Sequence, residues 1–491
     1  EASITVEGTE FVIDTARAKE VSYDPYLKVG TLTTSWISKA SAKQRAGRAG
    51  RTQGGLCFHL FCRDRFNKVD DFLQPELLRS PLEDSALTAK LMLMQMGSRE
   101  KVSDFLAKAP SPPEKMAITN SIELLVELGA LTKDEQLTTL GEHLTKSPLP
   151  PRLAKTVLWA ILFGCLDDAL CVVSAGGGFT RDPFRTTGME WSEAQKLKRD
   201  LAKGQNSDHA CLLNAVTGYT DASNQGAFCD QWKLNQATMR QIREQQNRLY
   251  TECQENKTDS FANRNRGNFQ LLVAVLCAGI FPNVARRRGS GDFYEAQNGK
   301  VEARPHGSSA YVPGEPDEWV FFQELSQMES TYKLKLVSPV PPLAMMLLAG
   351  EGPLTIDAGK GGKDGKGFKG GKGGGTTISL LSGWVKFRTD PTTAEQVQKL
   401  RSALKDAFQS FCAKPDDIPG PQTMTILDQV AALLSKQQGG VKRPASWPAD
   451  GAAGRESPTS RLSPKMPATG QMPMKGSFKG GGKGWKGGKG W

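Results

Sequence analysis

The sequence predicts a mixed α/β and α+β chain of several domains, and three observations indicate this fold class. The 491 residues suffice for about three or four domains of roughly 100–200 residues each, and 38% of them are hydrophobic. Apolar residues recur at helical spacing in most stretches between Pro81 and Gln254. After Arg286 the pattern changes to short strands separated by turns.

The first part of the chain predicts strands around one basic helix. A β-rich run covers Phe11–Asp14, and little sequence precedes it that could supply a pairing partner. Because the chain also starts without Met, we expect it to be the rear portion of a longer protein. Alternating β-branched and aromatic residues predict a hairpin over Val21–Ile37. A basic helix over Ser41–Arg51 and a strand over Leu56–Phe61 should follow.

The late strands predict a small barrel. They are expected at Tyr311-Val312, Trp319–Leu325 and Tyr332–Val337. A glycine-rich tract interrupts the barrel, and strand pairing resumes at Trp384–Arg388. Residues beyond Gly439 are rich in Pro, Gly and Ser, which predicts disorder. Between barrel and tail we expect a last helix, whose apolar face carries Ala394, Val397, Leu400, Leu404 and Phe408.

Positive charge is concentrated in two glycine-rich tracts. The chain has 63 Lys plus Arg against 52 Asp plus Glu, a net charge of +11. The tract Gly359–Gly375 carries +4 and the tract Lys475–Trp491 carries +5, so the remaining residues are nearly neutral. Lysines in such tracts can follow a phosphate backbone while rings stack on unpaired bases, a role we expect for Lys479 and Trp485. The alternative is a flexible, soluble tail of no specific function.

The sharpest motif is Q-R-A-G-R-A-G-R, which begins at Gln44. On a helix at about 100° per residue, Gln44, Arg48 and Arg51 face the same way, so one amide and two guanidinium groups form a face suited to phosphate. Gly47 and Gly50 each cost about 1 kcal/mol in a helix relative to Ala, which predicts close approach by another backbone or a ligand. The alternative is a solvated basic helix.

Those eight residues resemble motif VI of the superfamily 2 helicases. The preceding Trp36–Ala42 is similar to the DEAH-box branch, in particular to the subgroup around RNA helicase A. Glu1–Gly8 resembles the end of motif V. The resemblance covers roughly residues 1–410. Further similar segments are Leu149–Arg152, Ser207–His209, Leu213–Ala215, Ala278–Ala285 and Gly383–Phe387.

The resemblance implies a domain order and an activity. An enzyme of this family couples ATP hydrolysis to translocation on RNA and to unwinding or remodelling of RNA, and its hairpin parts the strands. The implied order is a second RecA-like domain over 1–65, a winged helix over 66–148, a helical ratchet-like domain over 149–265, an OB-fold over 266–390 with the tract 359–375 inserted, C-terminal helices over 391–437 and a disordered tail over 438–491.

The resemblance also implies roles for individual residues. Arg48 and Arg51 would be arginine fingers on the γ-phosphate of ATP, with Gln44 beside them, because planar guanidinium groups stabilise the charge that spreads over phosphoryl oxygens. Glu7 and Gly8 would contact the nucleotide, while an upstream domain binds most of ATP and Mg²⁺. The implied RNA contacts are Ser3, Thr5, Arg152, Ser207, Asp208 and His209. The last three also suggest a proton relay, but consecutive helical residues do not face one another, which favours a structural or RNA-facing role instead.

Several kinds of site are missing from the sequence. No G-x-x-x-x-G-K-[ST] loop and no Asp-Glu-Ala-His occurs, so we expect the chain alone not to hydrolyse ATP. Nine cysteines without a C-x-x-C pair, and four histidines, argue against a disulfide framework or a metal site. No apolar run approaches the ~18–20 residues of a membrane span, so we expect an intracellular protein, in nucleus or cytoplasm.

Three hypotheses follow. The first is the C-terminal part of a DEAH-box ATP-dependent RNA helicase, and the second is a non-catalytic RNA-binding module that has lost its motor. The third is a motor that acts on DNA, since the groups that would sense the 2′-OH cannot be placed from sequence. Other side chains are expected as follows: His59 as a packed histidine, Cys165 and Cys171 as core thiols, Met92, Met94 and Met96 as helix core, and Arg286–Arg288 as either phosphate contacts or a solvated run.

Overall fold

The computed structural model of the protein describes nine ranges of the chain. These are residues 8–50, 54–178, 180–185, 188–254, 259–289, 291–314, 318–328, 330–358 and 376–436. Both glycine-rich tracts and the tail predicted over 438–491 therefore lie outside the described residues. Six predicted site residues lie outside them as well, namely Ser3, Thr5, Glu7, Arg51, Lys479 and Trp485.

Three strands precede the first helix in the chain and a fourth strand follows it. β1 and β4 form a two-stranded parallel sheet, in which Phe11 lies opposite Leu56. β2 and β3 pair antiparallel along their whole length, which confirms the predicted hairpin, although it begins earlier than expected. The bounds are β1 (Phe11–Asp14), β2 (Arg17–Asp24), β3 (Val29–Trp36), α1 (Lys39–Ala46) and β4 (Leu56–His59).

The next part of the chain is helical. It begins with α2 (Arg63–Lys68), α3 (Glu83–Gln95), α4 (Val102–Leu106), α5 (Lys115–Glu127) and α6 (Thr139–Lys146). It continues with α7 (Pro151–Phe163), α8 (Leu166–Gly176), α9 (Trp191–Leu201), α10 (Asp208–Asp221), α11 (Gln225–Gln231), α12 (Gln236–Gln254), α13 (Asp259–Ala262) and α14 (Phe269–Ile280).

The core of this part is formed by α7, α8 and α14, which are buried along most of their length. Proline at the first position of α7 fits a helix start, and Gly164 ends the helix at a φ of 75°. α14 lies so close to α7 that a Cβ atom at Gly279 would sit 1.9 Å from Thr156 Oγ1. Glycine is therefore required at position 279.

Five strands then form a closed barrel: β5 (Val284–Arg287), β6 (Tyr294–Ala296), β7 (Val301–Pro305), β8 (Trp319–Met328) and β9 (Thr331–Pro339). The order is β8-β5-β6-β7-β9, and β9 pairs with β8 to close the circle. The predicted barrel is confirmed. The hairpin is attached to it, because β3 pairs in parallel with β8 at Gly30 and Thr31.

A separate three-stranded sheet and two long helices follow the barrel. The order of the sheet is β10-β11-β12, and Ala358 of β10 lies opposite Thr376 of β11. The first glycine-rich tract thus joins two strands of this sheet, and the prediction that it interrupts the barrel is wrong. The predicted face of the last helix is confirmed. The bounds are α15 (Pro342–Leu348), β10 (Thr355–Ala358), β11 (Thr376–Leu380), β12 (Val385–Thr389), α16 (Pro391–Ala413) and α17 (Pro421–Ser435).

Two predictions about thiols and thioethers can be compared with the structure. Cys165 and Cys171 are buried, which confirms them as core thiols, and all nine cysteines are free. Met92, Met94 and Met96 are exposed, so their assignment to the helix core is wrong. α3 buries another stripe, and residues spaced by two cannot all lie on one helical face.

Two kinds of feature were not found in the described ranges. Their helices are all too short or too polar to cross a bilayer. Nor do those ranges bring together three His, Cys, Asp or Glu side chains in an arrangement suited to a metal ion.

Candidate nucleotide and nucleic-acid sites

Helix α1 ends before the second arginine of the motif. The Ser38 hydroxyl caps its start by accepting a hydrogen bond from the Ser41 N–H, and Gly47 follows its last residue. The N–H groups of Arg48 and Ala49 bond to carbonyls three residues earlier, as in a tight turn. The predicted single helical face is therefore wrong for Arg48. Low helix propensity at Gly47 explains the early end.

Gln44 lies in the last turn of α1, and Arg48 lies in the turn that follows the helix. Gln44 is exposed and Arg48 is half-buried, while Arg51 lies outside the described residues. Gly8 is exposed and has a φ of 75°. Among the described residues no atom lies within 4 Å of a Cβ built at Gly50, so no described backbone makes the predicted close approach there. It occurs instead at Gly55, where a Cβ would lie 2.3 Å from the Ala49 carbonyl oxygen.

Sequence reasoning missed the arginine that anchors α1. Arg45 Nη1 donates a 2.8 Å hydrogen bond to Asp14 Oδ1, at the end of β1. Asp14 is buried and accepts two further contacts, from the Ala16 N–H at 2.9 Å and from His59 Nδ1 at 3.2 Å. Burial opposes ionisation of Asp14, but the bonds from Ala16, Arg45 and His59 outweigh it and lower its pKa. His59 lies on an exposed strand, so its assignment as a packed histidine is wrong.

A cavity of about 750 Å³ lies between the hairpin, the helices and the barrel. Residues from the hairpin, from several helices and from the barrel form its wall, so the cavity is the place where the hairpin meets the rest of the fold. Polar groups in the wall include Tyr23 of β2, Asn120 and Glu127 of α5, Arg152 of α7, Asn283 and Gln323 near the barrel, and Arg401 of α16.

Arg152 is the predicted RNA contact that this cavity exposes. It is half-buried in the first turn of α7, where the helix dipole favours anions. Within the described ranges its guanidinium has no carboxylate within 4.0 Å. Burial raises the pKa of the nearby Glu127, an effect that Lys28, Arg152 and Lys155 oppose. A free guanidinium at a helix start fits one phosphate group.

The rest of the cavity wall carries more carboxylates than cations: five glutamates line it, against Lys28 and Arg401. Three of its carboxylates have cationic partners: Glu123 with Lys28 at 3.8 Å, Glu324 with Lys335 at 2.9 Å and Glu351 with Lys155 at 2.5 Å. Glu83 and Glu127 also line it. Carboxylates repel phosphates, so this wall suits bases and sugars better than a continuous phosphate backbone.

Ser207, Asp208 and His209 are buried, and they join α10 to the barrel. The Asp208 carboxylate accepts hydrogen bonds from Ser309 Oγ, Ala310 N–H and Val337 N–H at 2.6 to 2.8 Å. His209 Nδ1 lies 2.6 Å from Ser338 Oγ, which also contacts Ser207 Oγ. These three side chains are at most 7% exposed and bond inside the fold, which argues against the predicted RNA contact and favours a structural role.

The arginine run on the barrel is engaged by neighbours. Arg286 forms a 2.9 Å ion pair with Glu318, and Arg288 lies 3.2 Å from Glu302. Arg287 Nε donates to the Gly291 carbonyl at 2.9 Å. These contacts favour a solvated surface run over a phosphate site.

Three family models match parts of this chain. A helicase-associated (HA2) winged-helix model matches residues 121–150, and an HA2 ratchet-like model matches residues 150–212. An oligonucleotide/oligosaccharide-binding (OB) fold model matches residues 272–352. The ranges overlap the winged-helix, ratchet-like and OB domains expected from sequence. These parts of the chain therefore correspond to accessory modules of helicases.

Similar curated proteins agree with these modules. The ATP-dependent RNA helicase DExH1 of Arabidopsis thaliana is 34% identical over 450 residues, which are 89% of this chain and 43% of the relative. The ATP-dependent DNA/RNA helicase DHX36 of Homo sapiens is 29% identical over 461 residues, with the same coverage. The chain thus spans less than half the length of these relatives. Together the family models and these relatives support a DEAH-box helicase C-terminal region in this chain.

Proposed function

We propose that the chain is the RNA-engaging C-terminal part of an ATP-dependent helicase, which couples ATP hydrolysis to translocation on RNA and to its unwinding or remodelling. The cavity between hairpin, helices and barrel carries the proposal. Among the described residues of its wall, Arg152 offers a guanidinium with no carboxylate within 4.0 Å, while glutamates line much of the rest. A single strand could therefore place one phosphate at Arg152 and its bases and sugars, which the carboxylates do not repel, along the rest of the wall.

For the nucleotide site we propose Gln44, Arg48 and Arg51, assisted by Glu7 and Gly8. Bound ATP would supply the phosphoryl transfer that drives movement. The structure describes two of these side chains. Gln44, in the last turn of α1, provides an amide, and Arg48, in the turn after α1, provides a guanidinium; both groups suit phosphate oxygens. The sequence has no G-x-x-x-x-G-K-[ST] loop and no Asp-Glu-Ala-His motif, so an upstream domain would hold most of ATP and the Mg²⁺. We therefore propose that this chain does not hydrolyse ATP by itself.

For RNA we propose Arg152, together with Ser3 and Thr5, as contacts within the body of the protein. Lys479 and Trp485 of the second glycine-rich tract would add charge and a stacking ring. Each phosphate that a cation neutralises releases counterions, so each contact should appear in the salt dependence of binding.

The test is the affinity of the 491-residue chain for a fluorescent oligouridylate, measured by anisotropy over a range of salt. Arg152→Met should weaken binding and reduce the slope of log Kd against log salt by about 1. Arg248→Met is the matched control, since Arg248 is an exposed arginine of α12 that does not line the cavity. An unchanged slope for Arg152→Met, or an equal change for both variants, would contradict the proposed site.

The early end of α1 favours a second candidate, a non-catalytic RNA-binding module. If Gln44 and Arg48 do not share a helical face, helix geometry does not direct both side chains toward one nucleotide. A protein that carries this chain, binds oligouridylate and shows no RNA-stimulated ATP hydrolysis would support the module. A matching oligodeoxyuridylate tests the DNA alternative, since the two probes differ at the 2′-OH.

A further inference from the structure

The base of the hairpin and the motif helix share one guanidinium. Arg45 of α1 bonds to the Asp14 carboxylate at 2.8 Å, and its Nη1 and Nη2 also lie 3.3 and 3.2 Å from the carbonyl oxygen of Arg17. Asp14 is the last residue of β1 and Arg17 is the first residue of β2. One side chain therefore joins α1 to both sides of the turn that leads into the hairpin.

That turn is held firmly from the hairpin side. The Ile37 N–H bonds to the Ala16 carbonyl at 3.0 Å, which closes the base of the hairpin. The Arg17 guanidinium stacks 3.7 Å from the centre of the Trp36 ring. A shift of Arg45 is therefore transmitted to both strands rather than absorbed by a loose loop.

The far end of the hairpin reaches the cavity. The side-chain amide of Asn120, in α5, donates to the Pro25 carbonyl at the hairpin tip. Tyr23 and Gly30 line the cavity wall, and β3 pairs with β8 of the barrel. On the other side, the Arg48 N–H bonds to the Arg45 carbonyl at 3.0 Å. A continuous set of contacts thus runs from Arg48 through Arg45 and Asp14 to the cavity.

We propose that Asp14 and Arg45 form a positioning pair, which couples the turn carrying Arg48 to the hairpin in the nucleic-acid cavity. This rests on the proposed function, because it takes the cavity as the RNA site. A strand bound against the hairpin restricts the hairpin base, and the pair passes that restriction to α1. Without the pair, RNA still binds but α1 no longer responds.

The test is amide hydrogen exchange of the 491-residue chain, with and without a 20-nucleotide oligouridylate. In the wild-type protein, RNA should slow exchange about threefold or more in peptides covering the hairpin, residues 17–36, and also in peptides covering α1, residues 39–47. In Asp14→Asn the hairpin should stay protected while the RNA-induced change in α1 disappears. Asparagine lacks the negative charge that holds Arg45, and it keeps only one of the two oxygens that accept bonds from Arg45, Ala16 and His59.

Two further variants make the result specific. Arg45→Lys keeps the charge but has one compact ammonium, which cannot bond to Asp14 and the Arg17 carbonyl with the same geometry; it should lose the α1 response as well. If Asp14→Asn does not fold, Arg45→Lys serves as the test variant in its place. Asp71→Asn is the matched control, because it breaks the exposed 2.9 Å pair with Lys39 at the other end of α1. It should behave as the wild-type protein.

The outcomes separate the two proposals. If α1 remains protected by RNA in Asp14→Asn and Arg45→Lys, or is never protected in the wild-type protein although the hairpin is, the positioning pair is overturned. If RNA protects no part of the wild-type cavity, the proposed function fails instead. The positioning pair is then tested in the RNA-free samples. Amide exchange in Asp14→Asn must be faster than in the wild-type protein both at the hairpin base and in α1. Unchanged exchange at these two places rejects the positioning pair.

Discussion

The sheet at the start of the chain and the helical core behind it are stabilised in opposite ways. In β1 and β4, Phe11, Ile13 and Phe58 are more than half exposed, and the polar contacts of Asp14 hold the two strands and α1 together. In α7, α8 and α14 almost every side chain is buried among apolar neighbours. The motif region thus depends on directional polar bonds, whereas the ratchet-like region is stable through packing.

Within the proposed function, stabilisation by polar bonds and stabilisation by packing suit different roles. A region that responds to a nucleotide must change its contacts, and single polar bonds can exchange partners more readily than a close-packed core. The helical core and barrel would serve instead as the rigid wall against which the strand is held.

The largest effect should come from the packed region. Phe163 at the end of α7 is fully buried, and Phe163→Ala should lower the free energy of unfolding by about 3–5 kcal/mol. Phe58→Ala in β4, where the ring is 52% exposed, should change it by less than about 0.5 kcal/mol. Urea denaturation followed by circular dichroism measures both. Equal losses would remove the contrast between the two regions.

The buried contacts between α10 and the barrel predict a pH dependence of stability of intermediate size. Burial lowers the pKa of His209 to about 3, so the folded protein keeps its imidazole neutral while the unfolded chain takes up a proton below about pH 6.5. Stability is therefore lost as the pH falls from about 6.5 toward 3, by up to about 1.4 kcal/mol per pH unit from this group. His209→Gln should show a shallower loss over that range in parallel denaturation curves. Identical curves would mean that His209 is not buried as a neutral ring.

The smallest effect should come from the hairpin tip. Asn120→Ala removes the bond to the Pro25 carbonyl and should cost about 1 kcal/mol, with faster amide exchange near the tip. Glu123→Gln breaks only the exposed 3.8 Å pair with Lys28 and should cost less than about 0.5 kcal/mol. The second variant is the control for the first. If both changed tip exchange equally, docking on α5 would be electrostatic rather than hydrogen-bonded.

Local pattern was sufficient for the elements but not for the sites. The hairpin, the barrel and the apolar face of α16 followed from residue periodicity, because burial of alternate or helical positions leaves a direct trace in sequence. The helical face proposed for Gln44 and Arg48 did not follow from residue periodicity, because the position of a helix end depends on small differences in propensity and capping. The role of Asp208 also escaped, because its partners Ser309 and Val337 lie more than a hundred residues away.

The sequence by itself determined the order of modules, the motif at Gln44 and the concentration of positive charge in two glycine-rich tracts. Only the tertiary structure decided which charged groups are used internally and which remain available. Arg45 and Asp208 are committed to bonds inside the fold, while Arg152 faces the cavity. The physical reason is that charge is a property of a residue, whereas its availability depends on long-range contacts that remove it from solvent.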